Sequence, residues 1–104
     1  MDLNLKLKIN APISFEWNEG NRNKNLKHGV YSDESEEVFF NRPLIIFQDK
    51  QHSSTQESRQ LALGKTFKDR KLSVIFTIRD NKIRIISARD MNKKESIRYE
   101  QSKT

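Results

Sequence analysis

The sequence predicts an α+β domain built on an antiparallel sheet, with two short helices before the main strands and one after them. The stretch 71–89 has the pattern of two strands joined at Asp80-Asn81, a pair that tolerates the positive φ angles of a two-residue hairpin turn. A second tight turn is predicted at Lys68-Asp69. Together with apolar runs at 44–49 and 59–67, these turns predict a four-stranded antiparallel meander over residues 44–88, with the helices on one face.

The predicted hairpin has one apolar face and one partly basic face. With the turn at Asp80-Asn81, Ile78 pairs with Ile83 and Phe76 with Ile85. Because side chains alternate along a strand, one face carries the core residues Val74, Phe76, Ile78, Ile83 and Ile85. The opposite face carries Ile75 with Ile86, then Thr77 with Arg84, then Arg79 with Lys82.

The N-terminal third predicts two strands and two helices. Residues 3–9 alternate between apolar and polar side chains, which indicates an edge strand that Pro12 ends, and 13–17 form a second short strand. The remaining predictions are a helix over 19–28 capped by Asn18 and stopped by Gly29, and a helix capped by Ser32 that buries Val38, Phe39 and Phe40.

The C-terminal element is predicted as a helix over 91–101. Met91, Glu95 and Tyr99 recur every four residues and therefore share one stripe. We expect this helix to pack on the sheet.

Composition excludes several classes of protein. The chain of 104 residues is 34% hydrophobic and 33% charged, which fits one domain, 1–104, with a small core. It has no cysteine and two histidines, so we expect no disulfide, no thiolate metal site and no structural zinc site. We also expect no other metal and no cofactor. No run is long enough to span a membrane, and we expect a cytoplasmic protein.

The positive charge is concentrated in the second half of the chain. Residues 1–50 contain seven Lys or Arg and eight Asp or Glu, whereas residues 51–104 contain thirteen and six. A basic surface on a small domain favours a polyanion such as nucleic acid, or an acidic protein partner.

Three segments resemble the BrnT family of ribonuclease toxins of bacterial type II toxin–antitoxin modules. They are FEWNEGNRNKNLKHGV (15–30), ESRQLALG (57–64) and RIISARDMNKKESIRY (84–99). Asn18 stands where the family usually has Asp, Ser35 stands where it has Ala, and residues 1–14 lie outside the resemblance. The matching positions are Trp17, Lys24, Asn25, Lys27, His28, Gly29, Glu57, Arg59, Gly64, Arg84, Ser87, Ala88, Arg89, Glu95 and Tyr99.

The resemblance implies a RelE-like fold and a metal-independent endoribonuclease that inhibits translation. It also implies a BrnA-like antitoxin that covers the catalytic face. This DNA-binding partner would dimerise, form a toxin–antitoxin heterotetramer, and bring the complex to promoter DNA.

Such a ribonuclease uses the 2′-hydroxyl of its substrate as nucleophile and needs a base, cations on the phosphate and an acid. Arg59, Arg84 and Arg89 are the predicted phosphate ligands. The candidates for the base are Lys27, His28 and Glu95, and the candidates for the acid are Tyr99 and His28. Further RNA contacts are predicted at Lys24, Arg79 and Lys82.

Each of these residues also has a structural interpretation. His28 fits a helix C-terminus, Trp17 fits the core, and Glu57 with Arg59 fits a surface ion pair. Arg89 fits a structural pair with Glu95 or Asp90 just as well as a catalytic role. In a regular strand Arg84 and Arg89 lie on opposite faces, so a shared site requires a bulge or the strand end to redirect Arg89.

Two other functions remain open from the sequence. The basic face also fits a nucleic-acid binder without catalysis, or an interaction protein that receives an acidic partner.

Overall fold

The computed structural model describes residues 13–51 and 53–102, and the predicted strand over 3–9 lies outside them. The described chain is α+β, as predicted, with a five-stranded sheet and three α-helices. The elements in order are β1 (Phe15–Glu16), α1 (Glu19–Leu26), α2 (Ser32–Glu37), a 3₁₀ turn (Val38–Phe40), β2 (Ile45–Gln48), β3 (Gln60–Lys65), β4 (Lys71–Arg79), β5 (Lys82–Asp90) and α3 (Lys93–Gln101).

The sheet is mixed rather than purely antiparallel. Its strand order is β1-β5-β4-β3-β2, and β2 to β5 form the predicted antiparallel meander. The short β1 pairs parallel with β5, with Phe15 opposite Ile83, so the prediction of an antiparallel sheet was wrong at this edge. β1 and β5 are joined by most of the domain and not by a hairpin, and a long connection of this kind permits parallel pairing.

The central hairpin has the predicted register at its turn end. Ile78 lies opposite Ile83 and Phe76 lies opposite Ile85. Asp80 and Asn81 have φ angles of 54° and 61°, as a two-residue turn of this kind requires. The other predicted turn is also present, and its Asp69 has a φ of 66°.

A bulge in β5 changes which side chains share a face. Between the Ile75 and Phe76 positions the register shifts, so that Ile75 lies opposite Ser87 and not opposite Ile86 as predicted. A shared site for Arg84 and Arg89 requires that both side chains lie on one face of the sheet, and the bulge achieves this. Arg84 lies opposite Thr77 and Arg89 lies opposite Ser73, and these partners are four residues apart on β4. Both arginines therefore project from the same face.

The main core lies between one face of the sheet and the segment that contains α1, α2 and the 3₁₀ turn. Phe39 packs edge-on against Phe76 with ring centroids 5.0 Å apart. Phe40, predicted to be buried, is 53% exposed and contacts Phe15 at the rim. The fully buried cluster includes Val30, Val38, Phe39, Ala62, Leu72, Val74, Phe76, Ile83, Ile85 and Ala88.

Helix α3 packs on the opposite face, so the prediction that the helices share one face was wrong for this element. Ser73, whose side chain points away from the main core, donates a hydrogen bond to Glu95. Lys71, on the same face, contacts Ser96 and Glu100 of α3. The alternation in β4 supplies apolar residues to one face and polar partners for α3 to the other.

The helix ends follow the local sequence with small differences. Asn18 caps α1 as predicted, and its Oδ1 accepts a hydrogen bond from the Asn21 N–H at 3.1 Å. The helix ends at Leu26, and Gly29 takes a φ of 72° just beyond it. The residue preceding α2 is Tyr31 and not Ser32, and its N–H is satisfied by Glu34.

Within the described ranges, no helix has the length and apolar character needed to cross a membrane.

Candidate functional site

A basic pocket lies where α1 meets the turn end of β4 and β5. We call it the arginine pocket. Its volume is about 390 Å³, which is within the range of small-ligand sites. Gly20 and Asn21 of α1 and Ile86 of β5 complete its wall. Its charged lining consists of Lys24, Glu57, Arg59, Arg79 and Arg84.

Asn21 fixes α1 against the sheet and thereby positions this pocket. Its side-chain amide donates hydrogen bonds to the carbonyls of Glu16 (3.1 Å) and Ile85 (2.9 Å), and the residue is only 5% exposed. These bonds satisfy strand carbonyls near the point where β1 ends. Lys24 follows Asn21 by three residues on the helix, which keeps it on the side of α1 that faces the pocket.

Two carboxylates orient the arginines of the pocket. Glu16 Oε1 accepts a hydrogen bond from Arg79 and another from Arg84, both at 2.9 Å. Arg59 donates through Nε to Glu57 Oε1 at 2.7 Å. The side chain of Arg84 is only 18% exposed, so its guanidinium is held in one position at the base of the pocket.

A second charged cluster lies on the same face of the sheet and contains Arg89, Glu95 and Ser73. Arg89 forms a two-pronged pair with Glu95 at 2.7 and 3.0 Å, and Ser73 donates to the same carboxylate at 3.1 Å. Four residues of β4 separate the positions opposite Arg84 and Arg89, which is about 13 Å along the strand. Arg89 therefore does not line the arginine pocket.

The charges of this second cluster stabilise each other. The hydrogen bond to Glu95 raises the pKa of Arg89. Burial alone would raise the pKa of Glu95, but hydrogen bonds from Arg89, from the Asn92 N–H and from Ser73 bring this pKa below its ordinary value. Both groups are therefore charged at neutral pH.

Tyr99 is in the interior and not in either cluster. Its side chain is fully buried, and its hydroxyl donates to the carbonyl of Pro43 at 2.7 Å. Burial raises the pKa of this phenol, which makes it a weaker acid. Tyr99 therefore packs α3 into the fold and does not line the arginine pocket.

The other predicted residues lie near the pocket or away from it. Lys27 and His28 are exposed just past the end of α1, about one turn after Lys24. Lys82 is exposed opposite Arg79 at the tip of the hairpin. Trp17 is half-buried against the core, and its Nε1 donates to Glu36 at 2.6 Å.

Sequence reasoning missed Glu16 as a site residue, and it considered Glu57 as a family-matching position and a partner in a surface ion pair but not as a catalytic residue. Glu16 reaches the pocket because β1 pairs with β5. This is a long-range contact that local sequence patterns do not predict. For Glu57 a signal existed, since it alternates with Arg59 and both precede a strand rich in apolar residues.

The arrangement is suited to binding a phosphodiester. Guanidinium groups bind phosphate oxygens through pairs of N–H donors. Three arginines and a lysine share the pocket with Glu57, which is a proton acceptor in its ionised form. In the segments 13–51 and 53–102, no three His, Asp or Glu side chains are grouped as metal ligands.

Comparison with known proteins identifies the family. None of the curated proteins compared with the chain matches it. A family model described as the ribonuclease toxin BrnT of type II toxin–antitoxin systems matches residues 17–95. The match runs from just before α1 into the first turn of α3, and it includes the charged lining of the arginine pocket and the Arg89–Glu95 pair. The chain therefore belongs to the BrnT family of ribonuclease toxins of type II toxin–antitoxin systems.

Proposed function

We propose that this protein is an endoribonuclease that binds and cleaves a single-stranded RNA phosphodiester in the arginine pocket. One observation carries the proposal. Four cationic residues that the sequence marks as RNA ligands line a single pocket, although they come from α1, the segment before β3, β4 and β5. The residues are Lys24, Arg59, Arg79 and Arg84.

Arg59 and Arg84 are the proposed ligands of the scissile phosphate. Both are held by carboxylates and are largely covered, with side chains 30% and 18% exposed. A preorganised guanidinium stabilises the charge that develops on the phosphate without having to reorient during the reaction. Arg79 and Lys24, nearer the rim, would bind flanking phosphates.

The reaction we propose needs no metal ion. The substrate 2′-oxygen attacks phosphorus, the bond from phosphorus to the 5′-oxygen breaks, and the products are a 2′,3′-cyclic phosphate and a 5′-hydroxyl. Glu57 is the proposed base that takes the proton of the 2′-hydroxyl. His28, about one turn along from Lys24, is the proposed acid that protonates the leaving oxygen. Arg89, held by Glu95, would bind another phosphate of the RNA strand further along the same face of the sheet.

In the cell, cleavage of RNA in the cytoplasm would inhibit translation, and a cognate antitoxin would neutralise the protein. Residues 51–104 contain thirteen Lys or Arg and six Asp or Glu. This surplus supports an antitoxin with an acidic segment that covers the arginine pocket. The antitoxin would supply the DNA-binding part and the dimer contact of a heterotetramer.

The test is cleavage of a synthetic RNA by the purified protein in excess chelator. We expect a 2′,3′-cyclic phosphate product, and no cleavage of the same oligonucleotide carrying 2′-O-methyl groups. Arg84→Ala should lower the rate by on the order of 100-fold, as for the loss of one preorganised donor. Arg84→Lys should restore only part of this loss, because lysine lacks the two-pronged geometry.

Arg22→Ala is the matched control. Arg22 is exposed on α1 and lies about 200° around the helix from Lys24, yet the substitution removes the same charge. RNA binding that weakens steeply with salt but proceeds without cleavage would instead establish a non-catalytic binder. If neither cleavage nor RNA binding is detected, the proposed function is wrong.

A further inference from the structure

A groove on the same face of the sheet, distinct from the arginine pocket, lies between α3 and the edge strand β2. We call it the stacking groove, and its volume is about 330 Å³. Its floor is apolar, formed by Phe47, Leu61 and Leu63. Its polar lining consists of Gln48, Lys94, Glu95 and Arg98, and Glu95 is the carboxylate that is paired with Arg89.

The guanidinium of Arg98, which lines this groove, lies over the Phe47 ring. Its Cζ is 3.9 Å from the centroid of the Phe47 ring, which is a close cation–π contact. Arg98 is exposed on the side of α3 that borders the groove, and an exposed side chain of this length changes rotamer readily. Phe47 is fixed in β2 opposite Leu61. At 3.9 Å the ring and the guanidinium touch each other, so a flat, electron-rich group enters between them only when the Arg98 side chain moves outward.

We propose that the stacking groove binds one unpaired base of the RNA substrate, with the base inserted between the Phe47 ring and the Arg98 guanidinium. The inference rests on the proposed ribonuclease function and deepens it, because it assigns a site for substrate selection. Aromatic rings and arginine planes are the surfaces on which proteins stack single-stranded bases.

The position of the groove fits a strand that also occupies the arginine pocket. Phe47 lies opposite Leu61, Leu61 opposite Ile75, and Ile75 is two residues from Thr77, the partner of Arg84. All of these alternate onto the same face. Phe47 is three strands from Arg84, or about 14 Å across the sheet, a span that a few nucleotides of extended strand cover.

The charge of the rim also favours RNA over an uncharged apolar partner. Lys94 and Arg98 are exposed on the side of α3 that borders the groove, and Lys93 precedes them at the start of the helix. These cations attract the phosphates on either side of an inserted base. An apolar side chain from a protein partner would pack on the floor of the groove but would make no favourable electrostatic contact with these cations.

The experiment measures binding of an uncleavable 2′-O-methyl oligonucleotide in which a single abasic position is moved along the chain. In the wild-type protein, one abasic position should weaken binding by about ten-fold, since stacking of one base on an aromatic ring is of that order. Phe47→Leu keeps an apolar floor, and it should bind the oligonucleotide without abasic positions about ten-fold more weakly than the wild type does. Introducing the abasic position should then weaken binding to this variant no further.

The matched control is Phe67→Leu. Phe67 is 63% exposed in the turn between β3 and β4, and its N–H contacts Glu37 of α2 on the other side of the sheet. This variant should bind like the wild type. Arg98→Ala should reproduce the loss seen for Phe47→Leu, whereas its effect on cleavage of a minimal dinucleotide should be small, because that substrate does not reach the groove.

The outcomes separate the groove from the arginine pocket. If the protein cleaves RNA but Phe47→Leu leaves the abasic pattern unchanged, the stacking groove is wrong and the ribonuclease function stands. If wild type and variant both fail to bind or cleave RNA, the proposed function itself fails. If Phe47→Leu weakens only the binding of a protein antitoxin, the groove is a protein contact and the base site is overturned.

Discussion

Arg89 and Glu95 join β5 to the first turn of α3 through a pair of parallel hydrogen bonds of 2.7 and 3.0 Å. The carboxylate also receives the N–H of Asn92 and the hydroxyl of Ser73. The side chain of Glu95 is 15% exposed, whereas that of Arg89 is 39% exposed. The carboxylate is thus the more buried partner, and Arg89 is the one that is accessible to solvent.

Arg89→Ala should reduce cleavage more than stability. Because Arg89 is partly solvated, loss of the pair should cost about 1 kcal/mol, while the rate should fall on the order of 100-fold if its guanidinium contacts a phosphate. The measurement compares melting temperature with cleavage rate in three variants, Arg89→Ala, Arg89→Lys and Glu95→Ala. A large fall in melting temperature in both alanine variants, with specific activity kept, would show that the pair is structural only.

Stability in acid should depend on Asp90 and Glu95. The hydrogen bond from Arg70 lowers the pKa of Asp90 below its ordinary value of 3.8, and the partners of Glu95 lower its pKa below 4.5. The unfolded chain therefore binds more protons at low pH, so this stabilisation is present above about pH 5 and is lost as the pH falls through the folded values. Thermal melts over a range of pH should show that the melting temperature of Glu95→Gln falls less in acid than that of the wild type. If the melting temperatures of the two proteins fall in parallel, Glu95 is not the origin of the acid sensitivity.

The parts of the fold that were predictable are those that local chemistry determines. The β4–β5 turn follows from Asp80-Asn81, and the start of α1 follows from Asn18, since each needs only its neighbours in sequence. The parallel pairing of β1 is a contact between residues almost seventy positions apart. It brings Glu16 to the arginine pocket, which explains why this residue was missed. The side of the sheet on which α3 packs depends on Ser73 and Lys71, residues whose partners no periodicity identifies.

Arg70→Ala should destabilise the protein without changing the chemistry of cleavage. Arg70 connects three parts of the fold through Asp90, Glu34 and the carbonyl of Gly29. Hydrogen bonds to charged groups contribute about 1.5–3 kcal/mol, and with a side chain 30% exposed we expect a loss of about 2 kcal/mol. Urea unfolding measures it, with Arg22→Ala as the control for lost charge. An unchanged unfolding midpoint would show that these contacts are replaced by water at no cost.

Gly64→Ala should be destabilising although alanine is the smallest possible addition. A Cβ at position 64 would lie 2.9 Å from the Cβ of Val38 and 3.3 Å from its carbonyl oxygen. β3 and the 3₁₀ turn approach each other here with no room for a methyl group. Overpacking of this kind costs about 1–3 kcal/mol, to be measured by chemical denaturation. A variant as stable as the wild type would mean that the 3₁₀ turn moves away easily.

Glu16→Gln should increase affinity for RNA and lower the rate of cleavage. The Glu16 carboxylate accepts hydrogen bonds from Arg79 and Arg84 beside the proposed phosphate site, so its negative charge opposes an anionic ligand. Glutamine removes that charge but keeps a carbonyl acceptor, so the pocket should hold the arginines more loosely. We expect tighter binding of an uncleavable 2′-O-methyl oligonucleotide, by a few-fold for about 1 kcal/mol of relieved repulsion. The rate at saturating RNA should fall, because Arg84 is less well oriented at the transition state.

The control is Asp33→Asn, which removes the same charge at an exposed position of α2. It should alter neither the affinity for RNA nor the rate of cleavage. Weaker binding by Glu16→Gln would mean that no RNA phosphate lies close to this carboxylate, and the arginine pocket would not be the phosphate site.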